Sequence, residues 1–431
     1  MTWPAYSEYK SAGVEWLDQL PAGWEMQKLR RICPLTTGWT PPSGDEASYR
    51  GENLWANISD LGPRVLEAPE RRISDEAVMR ARIPVSPKGS LLFSFKLSIG
   101  QVSFAGQDMY TNEAIATFRK SPRLDLGFAY YSFPYALVKN ASENIYGAKL
   151  LNQELMYAAR IPLPPLDEQR GIAEFLDRET AKIDALIGKQ EQLIATLRED
   201  RTATITHSVT KGLDPNVEMK DSTVEWLGAV PAHWTVSRFS RHIAINAGQV
   251  DPRLEPYRDM ILIAPNHVEA GTGRLVSTET AADQGADSGK YQVTAGQVIY
   301  SKIRPNLSKV VIAPTDCLCS ADMYGLAADP DQLSTDFMLY MLLSQPFTDY
   351  VIDSSMRVAM PKVNHDSLGA APVWIPPKDE QVEIARYVEA RCARIDALIA
   401  KSTEMIETLR EYRSALITDA VTGKIDVRKA V

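Results

Sequence analysis

The sequence predicts an α/β (α+β) chain in which two similar mixed α/β domains are separated by a pair of long antiparallel coiled-coil helices, the whole forming a pseudo-two-fold tandem repeat. Three observations carry this. GVEWLDQLPAGW at 13–24 returns as TVEWLGAVPAHW at 223–234. LPPLDEQRGIAEFLDRETAKIDALI at 163–187 returns as IPPKDEQVEIARYVEARCARIDALI at 375–399, identical at 13 of 25 positions. The offsets, 210 and 212, differ by only two residues, so the whole chain is duplicated and not just a motif.

Residues 1–160 read as the first domain. Trp16 and Trp24, like Trp226 and Trp234 in the second copy, read as anchors packing the N-terminal stretch onto its domain or helix. The runs GSLLFSF (89–95) and QVSFAG (101–106) read as short strands bounded by turn residues.

Residues 161–214 read as the first long helix. Pro164 and Pro165 stand just before it, and Asp167 and Glu168 place negative charge at its positive end. Leu176, Thr180, Ile183, Ile187, Gln190, Ile194, Leu197, Arg201 and Thr204 then follow steps of four and three, a coiled-coil seam. A helix from about Glu168 to His207 would be roughly 60 Å long.

Residues 215–372 read as the second domain, with strands at GQVIYSKI (296–303) and SKVVIAP (308–314). Faint likenesses link GSLLFS to GQVIYS, and DMY at 108–110 to DMY at 322–324. Residues 373–431 read as the second helix, with the seam Val388, Cys392, Ile395, Ile399, Ser402, Ile406, Leu409, Arg413 and Leu416. The polar interruptions coincide, Gln190 with Ser402 and Arg201 with Arg413, which predicts that the helices face one another in fixed register. Each is followed by a domain or by the chain end, so an antiparallel pair with one domain at each tip is expected.

Composition narrows the function. The net charge is −8, and the four segments carry 18 basic against 17 acidic, 7 against 10, 12 against 18, and 10 against 10 side chains. None is strongly basic, so DNA binding would need charges segregated by face or a partner completing the phosphate clamp. No apolar run is long enough to span a bilayer and MTWPAYSEYK does not resemble an export signal, so a cytoplasmic protein with no membrane role is expected. Cys33, Cys317, Cys319 and Cys392 are too scattered for a disulfide framework, and no metal site is expected. No Pro-Pro follows Asp or Asn as an adenine-gripping methyltransferase loop would need, no phosphate-binding G-x-x-x-x-G-K-[S/T] exists, and the five histidines lack ligand or triad spacing. No catalytic residue is expected.

The V-E-W-L-x-x-x-P-A-x-W phrases, the duplicated P-P-x-D-E-Q and I-D-A-L-I, and GQVIYSKIRPNLSKV at 296–310 resemble the specificity subunits of Type I restriction-modification systems over nearly the whole chain. The resemblance implies that the two domains are target recognition domains reading the halves of an asymmetric, bipartite site in double-stranded DNA. It implies helices that set the gap and dock two modification subunits, which carry S-adenosylmethionine and methylate adenine, with motor-nuclease restriction subunits joining the full complex. This chain would hold no cofactor. TGKIDVRKAV at the end echoes TKGLDPNVEMK before the second VEWL, so the C-terminus should run toward the start of the first copy. Two other readings stay open: a single-chain methyltransferase or nuclease, and a protein-binding scaffold.

DNA reading needs Arg, Lys, Asn or Gln at base edges and basic groups at phosphates. In the second domain the candidates are Lys302, Arg304, Asn306 and Lys309, then Arg357, Lys362 and Asn364, then Gln249. In the first they are Trp39, Asn57, Lys96, Lys149 and Asn152. FKLSIGQ stands where the second domain has KIRPNLSK, so base contacts are not expected to transfer one to one.

Overall fold

The computed structural model describes residues 3–143, 149–355 and 362–429. Two compact units emerge, residues 1–189 with 405–431, and residues 190–404. Each holds one mixed domain and a segment of both long helices.

In unit 1, β1 (Tyr9–Val14), β2 (Leu17–Pro21), β3 (Glu25–Lys28), β4 (Leu35–Thr37), β5 (Asn53–Ala56), β6 (Val65–Leu66), β7 (Arg71–Ile73), α1 (Asp75–Ala81), β8 (Leu91–Ser94), β9 (Val102–Ala105), β10 (Tyr110–Thr111), β11 (Ile115–Phe118), α2 (Leu126–Lys139), β12 (Ser142–Glu143), β13 (Lys149–Leu150), α3 (Gln153–Ala158) and β14 (Arg160–Leu163) precede the long helix α4 (Leu166–Lys211). β4-β11-β8-β9-β6 form one sheet and β10-β5-β7 another. All four residues of β8, LLFS, are buried, as its central position requires. Phe93, Phe118, Phe128 and Phe133 from sheet and α2 share a core with Leu176 and Ile183 of α4.

Unit 2 repeats the plan with β15 (Met219–Asp221), β16 (Ala229–Pro231), β17 (Thr235–Arg238), β18 (Ile243–Ile245), β19 (Leu262–Ile263), β20 (Tyr291–Val293), β21 (Val298–Ser301), β22 (Val310–Ile312), β23 (Cys317–Cys319), β24 (Met323–Ala328), α5 (Thr335–Leu343), α6 (Gln345–Ser355), α7 (His365–Ala370), β25 (Pro372–Ile375) and the second long helix α8 (Lys378–Val421). β18-β24-β21-β22 form one sheet and β19-β23-β20 another. Tyr300, Phe337 and Phe347 pack here with Val388 and Cys392 of α8.

Every named seam position from Leu176 to Thr204 and from Val388 to Leu416 is buried or half-buried, while most residues between them are exposed. In unit 1, Leu409 and Leu416 of α8 join the core containing Ile183 and Ile187, and Arg413 Nε meets Asp184 at 2.8 Å. In unit 2, Arg201 Nε meets Asp396 at 3.2 Å. These two pairs occupy equivalent places in the repeat, since 184 and 396, like 201 and 413, differ by 212. Within each unit the segments run antiparallel: Glu168 lies near Arg428 and Asp184 near Arg413 in unit 1, while Gly212 lies near Glu380 and Arg201 near Asp396 in unit 2. α4 is longer than the expected Glu168–His207, because helical geometry persists to Lys211 and stops only where Gly212 takes φ 76°.

P-P-x-D-E-Q has a structural purpose that helix-end electrostatics alone did not predict. Gln169, buried, accepts from Asp125 N at 2.8 Å and donates to Arg123 O at 3.0 Å and Pro164 O at 2.9 Å. Gln381 repeats this with Ser334 N, Gln332 O and Pro376 O. The preceding glutamate receives the aromatic segment: Glu380 accepts from Trp234 Nε1 at 3.1 Å, and Glu168 from the Tyr6 hydroxyl. Trp24 and Trp234 are fully buried anchors; Trp16 packs edge-on against Tyr135, and Trp226 against Trp374.

In unit 1 the end of the chain meets its beginning, as the echo of TGKIDVRKAV predicts: Asp426 N donates to Pro4 O at 2.8 Å. Gly423, at φ 77°, lies so close to Pro21 and Trp24 that a Cβ would collide with Pro21. Gly212, at φ 76°, holds the same place against Pro231 and Trp234 in unit 2, where the chain is continuous.

One expected likeness is corrected. Tyr110 of the first DMY lies on β10 beside Trp55, whereas Tyr324 of the second lies on β24 opposite Tyr300, in the other sheet. The true counterpart of β24 is β11, because Ile115 faces Ser94 and Met323 faces Ser301. Identical tripeptides fell on different strands because strand pairing, not local spelling, sets equivalence.

Candidate nucleic-acid interface

The largest group of candidates surrounds the hairpin β21–β22. Ser301 N donates to Lys309 O at 2.9 Å, closing a loop over residues 302–308. Arg304 and Asn306 are exposed on it, Arg304 with φ 49°. Lys302 is buried, its ammonium 4.6 Å from the centre of the Tyr324 ring. Burial, reinforced by repulsion from Lys362, pulls its pKa below the ordinary lysine value. Lys309 Nζ donates to Pro265 O at 2.6 Å. An isolated bridge between Ile303 and Lys362 adds a neighbouring segment, and Val363 N donates to Lys302 O at 2.8 Å. Lys362 lies 3.7 Å from Asp322 and, with Asn364, Tyr324 and Asp353, lines a cleft of about 610 Å³. The Asn364 side-chain oxygen caps α7 by accepting from Ser367 N at 2.7 Å. Arg357 lies outside the described residues. Gln249 is exposed and packs on Gly289, with no described contact to this hairpin.

The first-domain candidates are more dispersed. Lys96 is exposed on the β8–β9 loop. Asn57 caps the turn Ile58–Asp60 through Ser59 N at 2.7 Å, and Asn152 caps α3 through Leu155 N at 2.8 Å, the counterpart of Asn364. Lys149 is exposed on β13. Trp39 is half-buried in a small cluster with Trp55, and its carbonyl accepts from Trp55 Nε1 at 2.9 Å. The Arg80 guanidinium lies 5.8 Å from its ring centre.

The two hairpins superpose in their hydrogen bonding despite unlike sequences. Ser94 N donates to Gln101 O as Ser301 N does to Lys309 O, and Phe95 N to Ala114 O as Lys302 N does to Asp322 O. Leu97 therefore occupies the place of Arg304, and its φ of 58° matches. Sequence reasoning missed Leu97; setting FSFKL against YSKIR would have found it.

Each domain is also tied to a helix by an arginine that sequence reasoning overlooked. Arg64 stacks 4.7 Å from the Tyr130 ring centre and pairs with Asp177 of α4 at 2.6 Å. Arg274, 210 residues on, pairs with Asp396 of α8. Arg201 reinforces that second junction by donating to Gly271 O and Thr272 O, each at 2.8 Å.

Among the described residues no cluster of three or more His, Cys, Asp or Glu could hold a metal, and no helix is long and apolar enough to cross a membrane.

This geometry defines a tandem-repeat protein in which paired helices carry two like hairpin-bearing domains. Residues 21–195 and 256–408 match the family profile described as Type I restriction modification DNA specificity domain. The chain belongs to the family of Type I restriction-modification specificity subunits. It is 30% identical to the specificity subunit of the Escherichia coli Type I restriction enzyme EcoDI, covering 94% of this chain and 90% of that one. It is 23% identical to the putative MjaX specificity subunit of Methanocaldococcus jannaschii, covering 96% of each. Among solved structures it resembles the HsdS subunit from Thermoanaerobacter tengcongensis, with a TM-score of 0.55, 16% identity and coverage of 94% and 98%. It also resembles a chain from work on complex assembly and conformational transition of the type I restriction-modification system, with a TM-score of 0.65, 17% identity and coverage of 94% and 99%. Specificity subunits are non-catalytic and carry no cofactor of their own; catalysis lies in other subunits.

Proposed function

We propose that this chain reads an asymmetric, bipartite sequence in double-stranded DNA, with residues 1–160 and 215–372 each acting as a target recognition domain for one half. Residues 161–214 and 373–431 act as the spacer that sets the gap and docks two modification subunits, which supply S-adenosylmethionine and adenine methylation, while motor-nuclease subunits add restriction. The carrying observation is the duplication itself: two hairpins with matching backbone hydrogen bonds present unlike side chains, Leu97 in one and Arg304 in the other. One scaffold with two unlike surfaces suits two unlike half-sites. Arg304, Asn306, Lys362 and Lys96 are the exposed candidates for DNA contact; Lys302 and Lys309 support the second hairpin from beneath.

Docking is supported by apolar residues left exposed on the outer faces of the helices. Leu186 has its counterpart in Leu398, and Leu193 in Met405, each pair 212 residues apart and each residue exposed. Unit 1 thus carries Leu186 and Met405, and unit 2 carries Leu193 and Leu398, giving each unit equivalent apolar positions for one copy of a repeated partner.

The test is to delete one heptad from each helix, which keeps the seam in phase. Seven residues shorten a helix by about 10 Å, roughly three base pairs of duplex. The methylated motif mapped in genomic DNA should keep both half-sequences and lose about three base pairs from the gap. An unaltered gap with full methylation would refute the spacer role.

A further inference from the structure

We propose that Leu97 is the base-contacting residue of the first domain, making an apolar contact in one half-site where Arg304 makes a polar one in the other; this rests on the DNA-reading function above. Exposure alone would say little, since isolated apolar residues are common on protein surfaces. Leu97, however, is 92% exposed and also holds φ 58°, a region that branched side chains avoid. A residue free to point into solvent has no packing reason to stay there, and strained backbone of this kind collects at functional sites.

The loop is built to hold that conformation. Ser94, wholly buried at the end of β8, donates its hydroxyl to Ser98 O and accepts from Gln101 N at 3.0 Å. Gly100 N closes back onto Ser94 O at 2.9 Å. Its counterpart Ser301 is also buried and also donates into its loop, to Ile303 O at 3.1 Å, next to Arg304. Two buried serines therefore stiffen two loops that present one residue each, and stiff support is what precise recognition requires.

Chemistry then separates the two half-sites. Arginine donates to guanine O6 and N7, whereas leucine has no donor and meets DNA only through apolar surface: a thymine methyl in the major groove, or the face of an unstacked base. Lys96, exposed beside Leu97, is placed to meet the backbone phosphate flanking such a contact.

The test uses the chain assembled with its modification subunits and DNA carrying the motif mapped for the parent complex. Leu97→Asn and Leu97→Gly both tolerate positive φ, so neither should lower the melting temperature. Each should lose about tenfold in discrimination at one position of the first half-site, leaving the second half-site unchanged. If replacing thymine by deoxyuridine in the first half reproduces the loss with the parent complex, the contact is to a methyl group. If it does not, while Leu97→Asn still loses discrimination, the leucine enters the base stack. Unchanged discrimination in both variants, or equal losses in both half-sites, overturns the role of Leu97. A parent complex with no bipartite motif would instead overturn the DNA-reading function itself.

Discussion

Gln169 shows how much one side chain can hold: one buried and two part-buried backbone groups bond to it at the start of α4. Each stranded group costs about 1–3 kcal/mol. Gln169→Ala should therefore destabilise the first unit by about 3 kcal/mol, read as a lower midpoint in denaturant unfolding; a loss under about 0.5 kcal/mol would contradict the stapling role. The cysteines give a pH prediction. Burial pushes the Cys33 thiol up to about 11 and the Cys317 and Cys319 thiols up to about 12. The unfolded chain releases these protons near the ordinary thiol value, before the folded chain does, so their contribution is complete below that value and is lost as pH rises toward 12. Native protein at pH 8 should resist alkylation at all four cysteines until denaturant is added, as mass spectrometry would show. At the interface, Arg304→Ala should cost about 1–3 kcal/mol of discrimination in the second half-site alone, measured by competition between motif variants. The anchoring roles of Trp24 and Trp234 were legible from their repeated context. The alignment of Leu97 with Arg304 was legible in FSFKL against YSKIR, but its exposure and positive φ were not, because they depend on the folded loop.

Between elements, equivalent ion pairs have unequal worth. The side chains of Arg201 and Asp396 are only 8% and 17% exposed, whereas those of Arg413 and Asp184 are 35% and 53% exposed. Removing Arg201 leaves Asp396 paired with Arg274 but strips the Gly271 and Thr272 carbonyls of their donor, up to about 1–3 kcal/mol each, while an exposed pair is worth about 0–1 kcal/mol. Arg201→Ala should thus lower the thermal stability of the second unit markedly, and Arg413→Ala should barely change the first. Equal effects would show that local burial does not govern these pairs. The seam and its polar interruptions were legible because a coiled coil writes its contacts at fixed spacing along one strand of sequence. That Arg201 also grips the backbone of Gly271 and Thr272 was not legible, since a loop 70 residues away shares no period with the helix.

Across the whole molecule, the charge balance bears on assembly. A chain of net charge −8, with 12 basic against 18 acidic side chains in residues 215–372, is poorly equipped to clamp phosphates alone. The isolated chain should bind its motif weakly, with a shallow slope of log affinity against log salt, and the complex with modification subunits should steepen that slope by about 0.9 for each phosphate the partner neutralises. An isolated chain with the slope of the full complex would locate the clamp here instead. By itself the sequence determined the duplication, the two long helices, their seam and the family, because repeats and heptads are one-dimensional patterns that survive without coordinates. Tertiary structure alone decided that β11 answers β24, that the two hairpins share their backbone hydrogen bonds, and that Asp426 closes onto Pro4. Those relations are hydrogen bonds between residues far apart in the chain, and only the pairing of strands and the packing of ends bring them into register.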